Sequence, residues 1–221
     1  MIRWIIDNQR ANESYLSLPG VAAMQAAGEQ SWTNASHLVI VNDDHPQAGQ
    51  YLTAALLNGG DDSVMVIDRA GELAPAPTCP AATLRVTRAL TLLDGTQVTV
   101  KSAFQLLKES ADALSLDAYS RQCGVPVARI EQLADAFTRH GRKAAVITHG
   151  GMMSGNGFYN AWAVMMLNAL IGNLSLQGGV FVGGGKFNGV TDGPRYNLAT
   201  FPGMVKPKGL HIARSKAAYE S

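Results

Sequence analysis

Cysteine is nearly absent: the 221-residue chain holds two, Cys79 and Cys123, far apart and outside any C-x-x-C spacing. Two thiols cannot build a zinc or iron–sulfur site on their own, and two unpaired thiols are expected rather than a disulfide. They leave the compartment open. An excess of either charge is also missing. Lys plus Arg number 18 against 17 Asp plus Glu, a formal net charge of +1, which argues against a strongly basic nucleic-acid binder and against an acidic tail. The longest apolar stretch, 161–171, is interrupted by Asn168 and falls short of the roughly 20 residues that cross a bilayer. No basic n-region or small-residue cleavage site precedes Met1-Ile2-Arg3-Trp4-Ile5-Ile6, so no secretory leader is expected and the chain reads as soluble. The helical spacing of 3–7 begins without a capping residue, and 218–221 add no closing element, as if both ends were cut from something longer.

What is present suffices for a core, since 47% of the residues are apolar. Residues 8–36 mix turn and helix signals, with a short helix expected at 22–27. A buried strand is predicted at 37–41, a polar turn at 42–46, a helix near 47–57 and a second strand at 63–68. A Pro- and Ala-rich loop at 71–80 precedes two extended runs, 83–89 and 97–100, flanking Asp94-Gly95 as a hairpin turn. Helices are expected at 102–114, near 116–122 and at 126–140. The last carries Pro126 in its first turn, Val127, Ile130, Leu133, Ala134 and Phe137 on one face, Asp135 paired to Arg139, and Gly141 as its stop. A short apolar strand at 144–148, a glycine loop at 149–157 and a helix at 158–171 ended by Gly172-Asn173 follow. This alternation predicts an α/β fold, a layered sheet with flanking helices. Three parts are expected: a truncated helical opening segment at 1–36, an α/β portion at 37–185 and a basic, loop-rich tail at 186–221.

Residues 141–193 hold 13 of the 23 glycines, and 144–185 contain no Asp, Glu, Lys or Arg. Such a segment must lie inside something larger or against a large ligand. The order strand, glycine loop, helix aims backbone N–H groups and the positive end of the helix dipole at an anion, with Asn156 as the cap. The glycine spacing G-G-x-x-x-G-x-G fits neither the dinucleotide nor the phosphate-loop fingerprint. Taken alone, the loop is compatible with a structural turn, His149 with a hydrogen-bonded rim residue, and Met152 and Met153 with either core filler or a pocket wall.

The run from His149 to Ala163, with Leu170-Ile171-Gly172-Asn173 and Gln177-Gly178-Gly179, resembles the molybdopterin oxidoreductases of the dimethyl sulfoxide reductase superfamily. The likeness extends to Arg3-Trp4-Ile5-Ile6, Tyr15 to Pro19, Ser31 to Ala35 and Gly183 to Phe187, and is weakest between Asp61 and Val100. Gly193-Pro194-Arg195-Tyr196-Asn197-Leu198 and Lys206-Pro207-Lys208-Gly209 resemble the tetrathionate-reducing branch.

The resemblance implies part of a larger respiratory catalytic subunit, with molybdenum held by two molybdopterin guanine dinucleotides and fed electrons by a 4Fe-4S cluster. It implies cofactor contacts at His149, Gly150, Gly151, Met152, Met153, Asn156, Gly157, Asn173, Gly178 and Gly179. Lys186 and Arg195, at the head of a tail with six basic and two acidic residues, are candidates for attracting a small anionic substrate. The family's cysteine cluster, its molybdenum ligand and its Pro-Gly-Thr-Asp element are not among these residues, so an internal fragment without a complete active site is expected. By the same resemblance the parent enzyme is periplasmic and works with two partner subunits, one an iron–sulfur electron-transfer protein and the other a membrane anchor. Related reductases of thiosulfate, polysulfide or arsenate, and a free-standing nucleotide- or anion-binding domain, are the alternatives. A helix-turn-helix cadence at 115–140 is offset by Asp117, Glu131 and Asp135, and no nucleic-acid partner is expected.

Overall fold

A computed structural model describes residues 1–148, 153 and 155–180, all within the unit Met1–Val182. Helices α1 (Ile2–Asp7), α2 (Glu13–Leu16) and α3 (Val21–Ala26) open the chain. Strand β1 (Leu38–Ile40), helix α4 (Ala54–Asn58) and strands β2 (Met65–Ile67), β3 (Leu73–Pro75), β4 (Thr87–Thr91) and β5 (Gln97–Ser102) form the middle. Helices α5 (Ala103–Asp112), α6 (Leu116–Cys123), α7 (Val127–Arg139) and α8 (Gly157–Ile171) follow.

Helices and strands do mix, but the strands form two small antiparallel sheets, ordered β1-β5-β4 and β2-β3. Local turns explain this arrangement. Asp94 Oδ1 accepts from Thr96 N at 2.9 Å and Gly95 has φ +85°, which closes the β4–β5 hairpin. Asp68 Oδ1 accepts from the backbone N–H groups of Ala70 and Glu72, both at 2.8 Å, and Gly71 has φ +89°. That second turn folds part of the expected loop at 71–80 into β3.

The helix expected near 47–57 is shorter. Leu52 N donates to Leu38 O and Met65 N to Leu52 O, both at 2.8 Å, so Tyr51 to Thr53 are extended between β1 and β2. The helix starts only after Thr53, whose side chain caps Leu56 N at 3.4 Å. Ser102 and Ser115 cap α5 and α6 in the same way. Gly124 (φ +71°) ends α6, and Pro126 stands at the N-cap of α7 rather than in its first turn. The Asp135–Arg139 pair forms as expected. Leu133, expected on the packed face of α7, is 43% exposed.

Two principal cores result. Ile5, Ile6, Tyr15, Phe104, Phe137 and Leu170 belong to one built mainly from helices, while Leu38, Ile40, Leu52, Met65, Val98 and Val100 belong to the other, between the sheets. Each large apolar side chain so buried contributes about 1.5–3 kcal/mol. Cys79 is buried, Cys123 is exposed, and both are free. Among the described residues no helix is long and apolar enough to cross a membrane.

His37 is buried beneath Trp32 and Tyr51, with ring centroids 5.8 and 5.5 Å away, and its Nε2 donates to Pro19 O at 2.9 Å. Burial holds its pKa below the usual histidine value. Below the ordinary value the unfolded chain takes up a proton that the folded ring resists, so stability is lost as the pH falls through that window. The urea midpoint is expected to drop from pH 7 to 5, and the His37→Gln variant to drop less. Parallel slopes in the two proteins would exclude His37 as the source.

Candidate functional site

Residues 144–148 do not pair with a strand among the described residues. They are extended and held by side chains at the C-terminal end of α8. Asn168 Oδ1 accepts from Val146 N at 3.0 Å, and Asn168 Nδ2 donates to Val146 O at 2.6 Å and to Val164 O at 2.9 Å. Asn173 Nδ2 donates to Asn168 Oδ1 at 2.9 Å and to Ala144 O. Both asparagines are 0% exposed. The expected strand therefore becomes a segment clamped by two carboxamides, directly before the glycine loop.

The end of α8 is fastened from the other side. Gly172 adopts φ +69°, and Arg142 Nε donates to its carbonyl at 2.5 Å, placing a cation at the negative end of the helix. Arg142 also grips both carboxylate oxygens of Glu29 at 2.7 Å and lies over the Tyr15 ring, 5.3 Å from its centroid. Ser31 Oγ donates to Leu174 O at 2.8 Å, so Tyr15 Oη, 2.8 Å from Ser31 Oγ, must be the donor in that pair. Burial raises the Tyr15 pKa, which keeps that proton in place.

Beyond Gly172 the chain makes a tight loop. Ser175 N donates to Val180 O at 2.8 Å, Val180 N to Asn173 O at 3.1 Å and Gly179 N to Leu176 O at 3.0 Å. Gly178 has φ +84°. A Cβ on Gly179 would lie 2.0 Å from Asn173 O.

At the other end of α8, Asn156 occupies the N-cap position, but its side chain makes no capping bond, contrary to expectation. The first turn contains no acidic residue. Phe158, Tyr159 and Trp162, in edge-to-face contact through Phe158, are 67%, 69% and 54% exposed. Met153 is 80% exposed. Asn156 also borders a groove of about 950 Å³ whose walls include Ile2, Leu107, Tyr119, Leu133 and Ala163.

The expected cofactor residues thus fall into two groups. Met153, Asn156 and Gly157 lie at the N-terminal end of α8, and Asn173, Gly178 and Gly179 at its C-terminal end, about 22 Å away at 1.5 Å per residue. His149, Gly150, Gly151, Met152, Lys186 and Arg195 lie outside the described residues. Among the described residues no group of three or more His, Cys, Asp or Glu side chains is placed to hold a metal ion. The sequence reading passed over Arg142, Ser31 and the role of Asn168. The signal for Asn168 was a lone carboxamide in an otherwise uncharged apolar helix, which burial obliges to find partners.

No family model matches the chain. Over its whole length the chain is 66% identical to the A subunit of tetrathionate reductase from Salmonella typhimurium, 34% to the A subunit of selenate reductase from Mesobacillus selenatarsenatis and 29% to the A subunit of tetrathionate reductase from Archaeoglobus fulgidus. It spans 22%, 21% and 19% of those proteins respectively, about a fifth of each.

Proposed function

We propose, for a chain that belongs along its whole length with the A subunits of tetrathionate reductases, that it is a segment of a molybdopterin-dependent catalytic subunit whose substrate is tetrathionate. The observation that carries this reading is 66% identity to such a protein without a break in coverage, against 34% to a selenate reductase. When bound, the molybdenum cofactor supplies the two electrons that cleave the central S–S bond, giving two thiosulfates. A 4Fe-4S cluster in another part of the parent chain would supply them to the metal.

The residues present fit a bis-molybdopterin guanine dinucleotide. Asn173 Oδ1 is fully buried and has no hydrogen-bond partner among the described residues, an acceptor suited to an N–H of a pterin or guanine. At the far end of α8, a first turn with neither acid nor side-chain cap suits a pyrophosphate. A ligand touching both ends must be elongated, as a pterin dinucleotide is. In this reading His149, Gly150, Gly151 and Met152 donate backbone N–H groups or line the cofactor, and Met153 and the exposed aromatic face of α8 form an apolar wall.

Each of these relatives is one component of a reductase with several different chains, which supports a multi-subunit parent for this segment. The partners in this reading are an iron–sulfur electron-transfer protein and a membrane anchor. A periplasmic location goes with that assembly.

The test is turnover by the full-length protein with reduced viologen and tetrathionate, selenate, thiosulfate, polysulfide or arsenate. Tetrathionate should be reduced with the highest kcat/KM; preference for another acceptor would overturn the substrate assignment. Replacing Arg195 with Gln in that enzyme is expected to raise KM for the tetrathionate dianion roughly tenfold, the equivalent of one lost charge-assisted contact. An unchanged KM would remove Arg195 from the substrate path.

A further inference from the structure

We propose that Asn168 is a positioning residue for the cofactor loop: its carboxamide stands in for the neighbouring strand that residues 144–148 lack, and so fixes how the chain enters 149–157. The inference rests on the reading of that loop as a cofactor contact. Both backbone groups of Val146, three residues before His149, are engaged by one side chain, through bonds of 3.0 and 2.6 Å. A residue on an antiparallel partner would engage them in the same paired way.

The remaining capacity of the carboxamide is also filled, by Val164 O and by Asn173 Nδ2, both at 2.9 Å. Asn168 is 0% exposed, so no valence is left for solvent or ligand, and what it can do is hold. The amide orientation follows from the same network, because a flipped carboxamide would set donor against donor at Val146 N.

The pivot itself is fixed. Asn12 N donates to Leu170 O at 2.7 Å and Arg142 to Gly172 O at 2.5 Å, so the helix end cannot follow a displaced strand. An apolar residue at 168 would leave the N–H and C=O of Val146 unpaired and free the segment to rotate about its own axis. Every backbone donor in the loop that follows would then be re-aimed.

The experiment uses the full-length holoenzyme with Asn168→Leu, Asn168→Asp and, as a loop control, Gly150→Val. It measures molybdenum and guanine nucleotide per protein, the line shape of the molybdenum EPR signal, and the thermal midpoint of the cofactor-free form. Asn168→Leu should lower cofactor content at least about tenfold, the range seen when groups supporting a metal's ligands are lost. Asn168→Asp keeps the shape and the acceptor but faces Val146 O with a carboxylate. Its EPR line shape should be altered and should return toward wild type as the pH is lowered and the acid again donates.

A midpoint shift with wild-type line shape and content in both Asn168 variants, while Gly150→Val changes them, would overturn the positioning role and leave the loop reading intact. Wild-type values in all three variants would overturn the loop reading and this inference with it. If the leucine variant does not fold, the line shape of the aspartate variant and its reversal with pH decide.

Discussion

Gly179→Ala is expected to open the loop after α8. The added Cβ would sit 2.0 Å from Asn173 O and 3.0 Å from Asn173 C, both backbone atoms that no rotamer change can withdraw. Relief requires Asn173 and Gly179 to separate, which breaks Val180 N to Asn173 O and Ser175 N to Val180 O. Two net hydrogen bonds amount to about 2 kcal/mol, so hydrogen exchange at the Ser175 and Val180 amides should accelerate roughly 30-fold. The disturbance should also reach Ala144, because the amide that Asn173 extends to its carbonyl moves with the backbone. Unchanged exchange at Ser175 and Val180 would contradict the loop geometry.

The second large effect is expected from Gly172→Ala. Here two costs combine: φ is +69°, and the new Cβ would lie 2.9 Å from two ring atoms of Tyr15. Left-handed backbone in a residue with a Cβ costs about 1–2 kcal/mol, and overpacking a filled core about 1–3 kcal/mol. Tyr15 is 1% exposed and held between Arg142 and Ser31, so it cannot swing aside. A total of about 3 kcal/mol corresponds to a fall in Tm of roughly 10 °C for a unit of this size. Gly71→Ala is the control, since Gly71 has φ +89° but nothing within 4 Å of the added carbon. Its Tm should fall by no more than about half as much, the conformational part alone. Equal falls in the two variants would show that the Tyr15 contact contributes nothing.

These expectations depend on parts of the molecule that differ in how far they can be read from the residues. Helix α7 follows from apolar spacing bounded by Pro126 and Gly141, and α8 from an apolar run closed by Gly172. The β4–β5 hairpin follows from Asp94-Gly95. The turn at Asp68 to Glu72 was equally local, yet β3 escaped notice because Pro and Ala mask a short strand. Asn156 had the residue type of a cap, but its side chain takes no capping bond. The glycine pattern of 149–157 and its placement before an uncharged helix were legible, and they are what the family resemblance rests on. The separation of the proposed contacts into two groups was not, although the 15-residue length of α8 contains it.

What the sequence by itself determined are features decided within a few residues: caps, turns, left-handed glycines and the apolar faces of α7 and α8. Tertiary structure decided which backbone groups meet which partners. Tyr51 to Thr53 are extended rather than helical because Leu38 and Met65 lie on either side of them. Residues 144–148 are clamped by side chains rather than by a strand because Asn168, 22 positions away, arrives with an acceptor and a donor at once. A buried backbone N–H or C=O must find a partner, but sequence spacing does not say which one will be near, because proximity is set by the packing of the whole unit.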